Sequence, residues 1–263
     1  MTVLTRSCVH AKICGVEDTG PKSRNKHRPE GKERTVYIPT TFKYFSKSGN
    51  LRFIEYLHIL SKITKHNPRP FQTEIIKKTM KAYKSNGHAV VVISGPPGTG
   101  KSYVGDQLVR HFATVESQNV SFTDNFHPTT ASDTFHSLYE TVDPDENNPF
   151  IILIDEIDGT LRLLREGIPP HPKYLIQIRT KSDWNTFFDN IDKGRYPHVI
   201  FVLTTNLTLS QIDELDPSYT RPGRVDYRFE FQTDGSFVIQ SPDKTVSINM
   251  SPAWKKSTVT LLG

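Results

Sequence analysis

The sequence predicts an α/β chain, a three-layer sandwich with helices on both faces of a parallel sheet. Two apolar runs, Phe150–Ile154 and His198–Leu203, end in polar residues, as strands buried on both faces do. A third run, His88–Ser94, leads into a glycine-rich turn and then a helical pattern, with Val104, Leu108 and Phe112 four residues apart. Strands alternating with helices make this architecture the natural one, with ligands at the carboxyl ends of the strands.

Residues 1–35 read as a basic, flexible arm, because residues 15–35 are polar, charged and broken by Gly and Pro. Cys8, His10 and Cys14 fit no standard zinc spacing. Two cysteines form no disulfide framework, so an intracellular setting, cytoplasmic or nuclear, is expected rather than secretion. Residues 36–87 are expected to be a basic, mainly helical segment. Val36–Ile38 could be a short strand. An amphipathic helix follows over Leu51–Ile63, with apolar residues at positions 51, 54, 57, 60 and 63. Asn67–Phe71 is a break. The next helix buries Ile75, Ile76, Met80 and Tyr83 and ends at Asn86-Gly87. Residues 1–87 carry 18 Lys/Arg against 6 Asp/Glu, net +12, whereas residues 88–263 carry 15 against 22, net −7. A basic arm ahead of an acidic core suits contact with nucleic acid, an anionic surface or an acidic partner. Solvated charge is the plainer alternative. No apolar run approaches the ~20 residues of a membrane span.

The core, residues 88–231, carries the chemistry. Strand, glycine-rich turn and helix give Ser94–Ser102 the context of a phosphate-binding P-loop. Gly95, Gly98 and Gly100 let the backbone curl with its N–H groups inward. Pro96, Pro97, Thr99 and Tyr103 complete the loop. Lys101 can reach the β- and γ-phosphates, and the Ser102 hydroxyl can ligate Mg²⁺. A nucleoside triphosphate with Mg²⁺ is therefore the expected cofactor pair. A short strand over Asn119–Phe122 and a helix around Asp133–Thr141 follow. The buried run Phe150–Ile154 then ends in Asp155-Glu156, 54 residues after Lys101. Asp155 is placed to hold Mg²⁺, and Glu156 to polarise an attacking water, which favours hydrolysis over a binding-only switch. Residues 159–196 read as helix or loop. Thr204-Thr-Asn206 ends the next strand, where the Asn206 amide can orient the lytic water without adding charge.

Arg221 and Arg224 lie three apart on a loop stiffened by Pro222 and Gly223. Projecting together from one edge, they could stabilise charge on a transferring phosphoryl group in a neighbouring molecule; a turn with surface salt bridges is the alternative. Beyond them Val225–Phe231, Phe237–Ile239 and Thr245–Ile248 are β-rich, with turns at Thr233–Ser236 and Ser241–Lys244. Residues 232–263 thus read as a small β-rich C-terminal extension.

Gly95–Ser102, Ile154–Asp158, Thr204–Asn206 and Asp216–Asp226, in that order, resemble the AAA+ ATPases over roughly residues 88–231. The Arg-Pro-Gly-Arg-Val-Asp ending is similar to the branch that includes the mitochondrial respiratory-complex assembly ATPases, without that branch's membrane helix. The resemblance implies a P-loop NTPase sandwich and ATP as the nucleotide. It implies Lys101 and Ser102 as Walker A, Asp155 and Glu156 as Walker B, and Asn206 as the first sensor. Arg221 and Arg224 become fingers acting in trans, so a ring-like oligomer of this chain is implied. The implied activity is hydrolysis of the β–γ phosphoanhydride of ATP coupled to remodelling of a protein or nucleic acid. The alternative is a nucleotide-dependent nucleic-acid-binding or scaffold protein with little turnover. Only 37 residues follow Asp226 and they read as strands, so the family's helical lid is expected to be missing. Asn67–Phe71 is a candidate base pocket. Phe122–Phe126 stands where threading members carry an aromatic loop and is expected to pack in the core instead.

Overall fold

Residues 38–50, 53–232 and 236–249 are described by a computed structural model. The elements are β1 (Thr41–Asn50), β2 (Phe53–Lys62), α1 (Pro70–Asn86), β3 (His88–Ser94), α2 (Val104–Thr114), β4 (Ser121–Thr123), α3 (Phe135–Val142) and β5 (Phe150–Ile154). Then come α4 (Ile157–Glu166), α5 (Lys181–Asp192), β6 (Val199–Thr205), α6 (Leu209–Leu215), a short 3-10 turn (Pro217–Tyr219), β7 (Tyr227–Phe231), β8 (Ser236–Ser241) and β9 (Lys244–Asn249). The strands of the described residues join one sheet in the order β2-β1-β4-β5-β6-β3-β7-β8-β9. From β1 to β7 the neighbours pair parallel; antiparallel pairs occur only at the two margins. The expected three-layer sandwich is the observed one.

Alternation along the strands builds the two cores. Val90, Val92, Ile152, Phe201 and Leu203 face one side, where Leu138, Leu161, Trp184 and Ile212 of α3 to α6 cover them. Val91, Ile93, Ile151 and Val202 face the other, under Ile75 of α1 and Phe112 of α2. With both faces covered, β3, β5 and β6 are buried from end to end. The expected helix after residue 69 is α1, begun by Pro70 and closed by Gly87 in the left-handed conformation (φ 75°). Phe122 and Phe126 are both buried, in keeping with core packing. The arm at 1–35, with Cys8, His10 and Cys14, lies outside the described residues. Among the described residues no helix is long and apolar enough to cross a membrane.

One expectation is overturned. Residues 53–62, read as part of a helix over Leu51–Ile63, form a strand paired residue by residue with β1, from Thr41↔Lys62 onward. An apolar residue at every third position gives a strand no single buried face. Leu57, Ile59 and Leu60 accordingly stay 57–59% exposed. Tyr56 settles the contest, since it is buried and its hydroxyl donates to Asp133 Oδ1 at 2.7 Å. Phe, Ile and Tyr in this stretch also favour a pleated surface.

Asp133 is the anchor of this hairpin. Fully buried, it pairs with the Lys47 ammonium of β1, accepts from Tyr56 of β2 and takes the His127 amide at 2.9 Å. Burial beside Asp133 pushes the Tyr56 phenol far up, so it remains a donor. Removing the carboxylate leaves a partly buried ammonium without its partner. Asp133→Ala is expected to lower unfolding stability by about 3–5 kcal/mol, read from the shift in a urea denaturation midpoint.

Candidate functional site

The strands β3, β5 and β6 end beside one another, and each hands its chain to a loop that lines a cleft of about 950 Å³. At the end of β3, Gly95 has φ 150°, Gly98 75° and Gly100 90°. A Cβ on Gly95 would come within 2.7 Å of Phe231 Cβ in β7, so the close approach of loop and strand excludes any side chain there. Lys101 turns back under the loop it belongs to. Its ammonium donates to the carbonyls of Gly95 (2.8 Å) and Pro96 (2.9 Å) and to Asn206 Oδ1 (3.1 Å).

The end of β5 lies alongside. Ser102 Oγ is 2.8 and 2.9 Å from the two carboxylate oxygens of Asp155. The Thr204 hydroxyl of β6 donates to Asp155 Oδ1 and accepts the Glu156 amide at 3.2 Å. Thr205 Oγ1 donates to Asp158 Oδ1 at 3.2 Å. Glu156 itself caps α4 in a left-handed conformation (φ 53°), which costs a non-glycine residue of order 1–3 kcal/mol. Its side chain lines the cleft with Asp155 and Asn206.

The structure therefore brings Lys101, Ser102, Tyr103, Asp155, Glu156 and Asn206 to one cleft, although they come from three separate strand ends. Sequence spacing marks Thr204 only as a neighbour of Asn206, and its link to Asp155 has no local sequence signal. Asn67–Phe71 does pack on the P-loop. The Arg69 guanidinium donates to Thr99 O at 3.3 Å, and just beyond the segment Gln72 donates to Gly100 O at 3.0 Å. Phe71, however, is buried edge-on against Phe231 at 4.5 Å, so it belongs to the core.

The two arginines separate. Arg224 is only 7% exposed and grips Asp189 of α5 through Nε (2.6 Å) and Nη2 (3.0 Å). Arg221 is 54% exposed, with Asp189 at 3.5 Å. The two do not project together as expected: Asp189 draws the Arg224 guanidinium inward, while Arg221 stays largely exposed. Neither arginine lines the cleft.

The donor set suits a divalent cation carried by a phosphate. Mg²⁺ keeps several waters and takes one or two protein oxygens, and the adjoining Ser102 hydroxyl and Asp155 carboxylate are such oxygens. Among the described residues no cluster of three or more His, Cys, Asp or Glu forms an all-protein metal cage.

Residues 91–233 match the family model described as "ATPase family associated with various cellular activities (AAA)". The 26S proteasome regulatory subunit 6B homolog of Schizosaccharomyces pombe is 32% identical over 150 residues, 54% of this chain and 34% of that protein. The ATP-dependent zinc metalloprotease FtsH 3 of Sphaerobacter thermophilus is 31% identical over 147 residues, 53% of this chain and 26% of that protein. The chain thus spans about a third or less of these relatives. A solved structure of C. elegans PCH-2 aligns with a TM-score of 0.37 at 18% identity, over 61% of this chain and 41% of that one.

Two outcomes follow from the geometry. Gly95→Ala, which must move Phe231, is expected to lower stability by about 1–3 kcal/mol and to weaken nucleotide binding, read by thermal unfolding with and without ATP. Burial holds the Lys101 ammonium below the ordinary lysine pKa, against the pull of Asp155, Glu156 and Asp158. A phosphate arriving beside it favours the charged form, so binding takes up a proton at alkaline pH. ATP affinity should fall as pH rises into that range, and calorimetry in buffers of different ionisation enthalpy measures the uptake.

Proposed function

The chain belongs to the AAA family of ATPases, and from that premise we propose that it hydrolyses the β–γ phosphoanhydride of ATP to remodel a protein or nucleic acid. The observation that carries this reading is the convergence of Lys101, Ser102, Asp155, Glu156 and Asn206 on one cleft at the ends of three parallel strands. The Lys101 ammonium exchanges the Gly95 and Pro96 carbonyls for the β- and γ-phosphates, releasing Asn206 as it does so. Ser102 and Asp155 would hold Mg²⁺, which would supply charge neutralisation for the phosphate oxygens. Glu156 takes a proton from the attacking water, and the freed Asn206 amide orients that water. The P-loop backbone N–H groups cradle the phosphates.

Copies of the chain assemble into a ring-like oligomer in which the loop carrying Arg221 and Arg224 meets the neighbour's cleft. The basic residues of the first 87 positions contact nucleic acid or another anionic partner. A second reading is a nucleotide-gated scaffold with little turnover. It is favoured by the Lys101 ammonium, which already has three acceptors and gains less from a phosphate than a free lysine would.

ATP turnover measured against protein concentration decides between them. Specific activity is expected to rise with concentration, and Glu156→Gln to bind ATP while losing about 10²–10⁴ in rate. Wild type that binds ATP but never outpaces the Gln variant would leave the scaffold reading standing.

A further inference from the structure

α5 (Lys181–Asp192) holds the loop before β7 along one face. Lys181 Nζ meets Asp216 Oδ2 at 2.7 Å, and Trp184 Nε1 donates to Tyr219 O at 3.2 Å. Asn185 Nδ2 donates to Ser218 Oγ at 3.1 Å, and Asp189 binds Arg224. Positions 181, 185 and 189 recur every four residues, so these contacts form a row on one side of the helix. The last is the strongest of the row. A bidentate guanidinium–carboxylate pair combines two charge-assisted hydrogen bonds in a fixed plane. The third Arg224 contact, Nη1 to Ser218 O, turns back onto the same loop.

The turn itself then dictates what Arg221 does. The amides of Arg224 and Val225 both donate to Arg221 O, at 3.1 and 3.3 Å, and Gly223 supplies the left-handed residue between (φ 88°). Fixing the Arg224 side chain on α5 therefore fixes the backbone from which Arg221 leaves. Arg221 retains an exposed guanidinium whose nearest acid, Asp189, is already engaged at shorter range by Arg224.

We infer that the two arginines divide the work: Arg221 alone enters the neighbouring copy's cleft, and Arg224, through Asp189, is a positioning residue for it. For Arg224 to enter a neighbour's site it would have to break a partly buried bidentate pair and leave Asp189 without it. Arg221 has only a long contact to give up. This division rests on the proposed trans-acting ATPase and assigns Asp189, 32 residues upstream of Arg221 and outside the cleft, a part in turnover.

The test compares Arg221→Ala, Asp189→Asn, Arg224→Ala and the exchanged pair Asp189→Arg with Arg224→Asp. Each is assayed for ATP turnover at high protein concentration and for binding of a fluorescent ATP analogue, which controls for folding. Arg221→Ala should lose about 10³-fold in turnover while still binding the analogue. Asp189→Asn should lose about 10²-fold by misplacing the loop, and nothing further when added to Arg221→Ala. The exchanged pair, which rebuilds the clamp with no arginine at position 224, should recover most of the activity. If the exchanged pair binds the analogue yet stays as slow as Arg224→Ala, Arg224 itself reaches the neighbour; if Asp189→Asn alone is silent, the pair does not position Arg221; either result overturns the division. If Arg221→Ala turns over like wild type, no arginine of this loop acts in trans there and the proposed assembly mechanism falls with the inference.

Discussion

Strands buried on both faces leave their side chains no water to bond with, so polar residues are confined to the places where each strand leaves the sheet. Ser94, Thr204 and Thr205 sit at those places, and all three are fully buried. Each hydroxyl has a partner just beyond a strand end: Leu207 O in the loop after β6 for Ser94, Asp155 after β5 for Thr204, and Asp158 in the first turn of α4 for Thr205. These hydroxyls hold the P-loop, the acidic corner after β5 and the loop after β6 in one register. The cleft is therefore a property of the sheet, with the helices behind it supplying the packing that keeps the strand ends fixed.

The central strands were legible because nothing competes with a run such as Phe150–Ile154 for burial on both faces, and β3 begins and ends where its β-branched run does. The P-loop was legible because its spacing is local. Legibility failed where the deciding contact is distant in sequence. The hairpin β1–β2 depends on Asp133, 77 residues beyond Tyr56, and a window of a dozen residues around Leu57 sees only helical spacing. Asp189 lies 35 residues before Arg224, so in sequence nothing local distinguishes the two arginines, and the packing of α5 does. α6, seven residues long, is too short for a periodic signal.

The cleft is richer in acid than in base. Asp106, Asp124, Asp155 and Glu156 line it, against Lys62 and Lys101. Burial, and after it the neighbouring Asp124, push the Asp106 carboxyl upward. A bare polyphosphate entering such a cleft would meet more repulsion than attraction. A phosphate accompanied by a divalent cation would reverse the balance, since the cation would give the carboxylates a partner while Lys101 and the loop amides would take the anion. In the proposed function, charge thus favours the metal complex over the bare polyphosphate.

On the proposed hydrolysis, Glu156 links folding to chemistry in a different way. Its left-handed backbone is one that glycine would adopt freely and glutamate resists. A domain whose whole stability is about 5–15 kcal/mol gives up a noticeable fraction at this single corner. The residue that would make the corner most comfortable is the one with no carboxylate to offer. If the chain hydrolyses ATP as proposed, selection for thermal robustness and selection for turnover would pull this position in opposite directions at the strand-to-helix corner after β5.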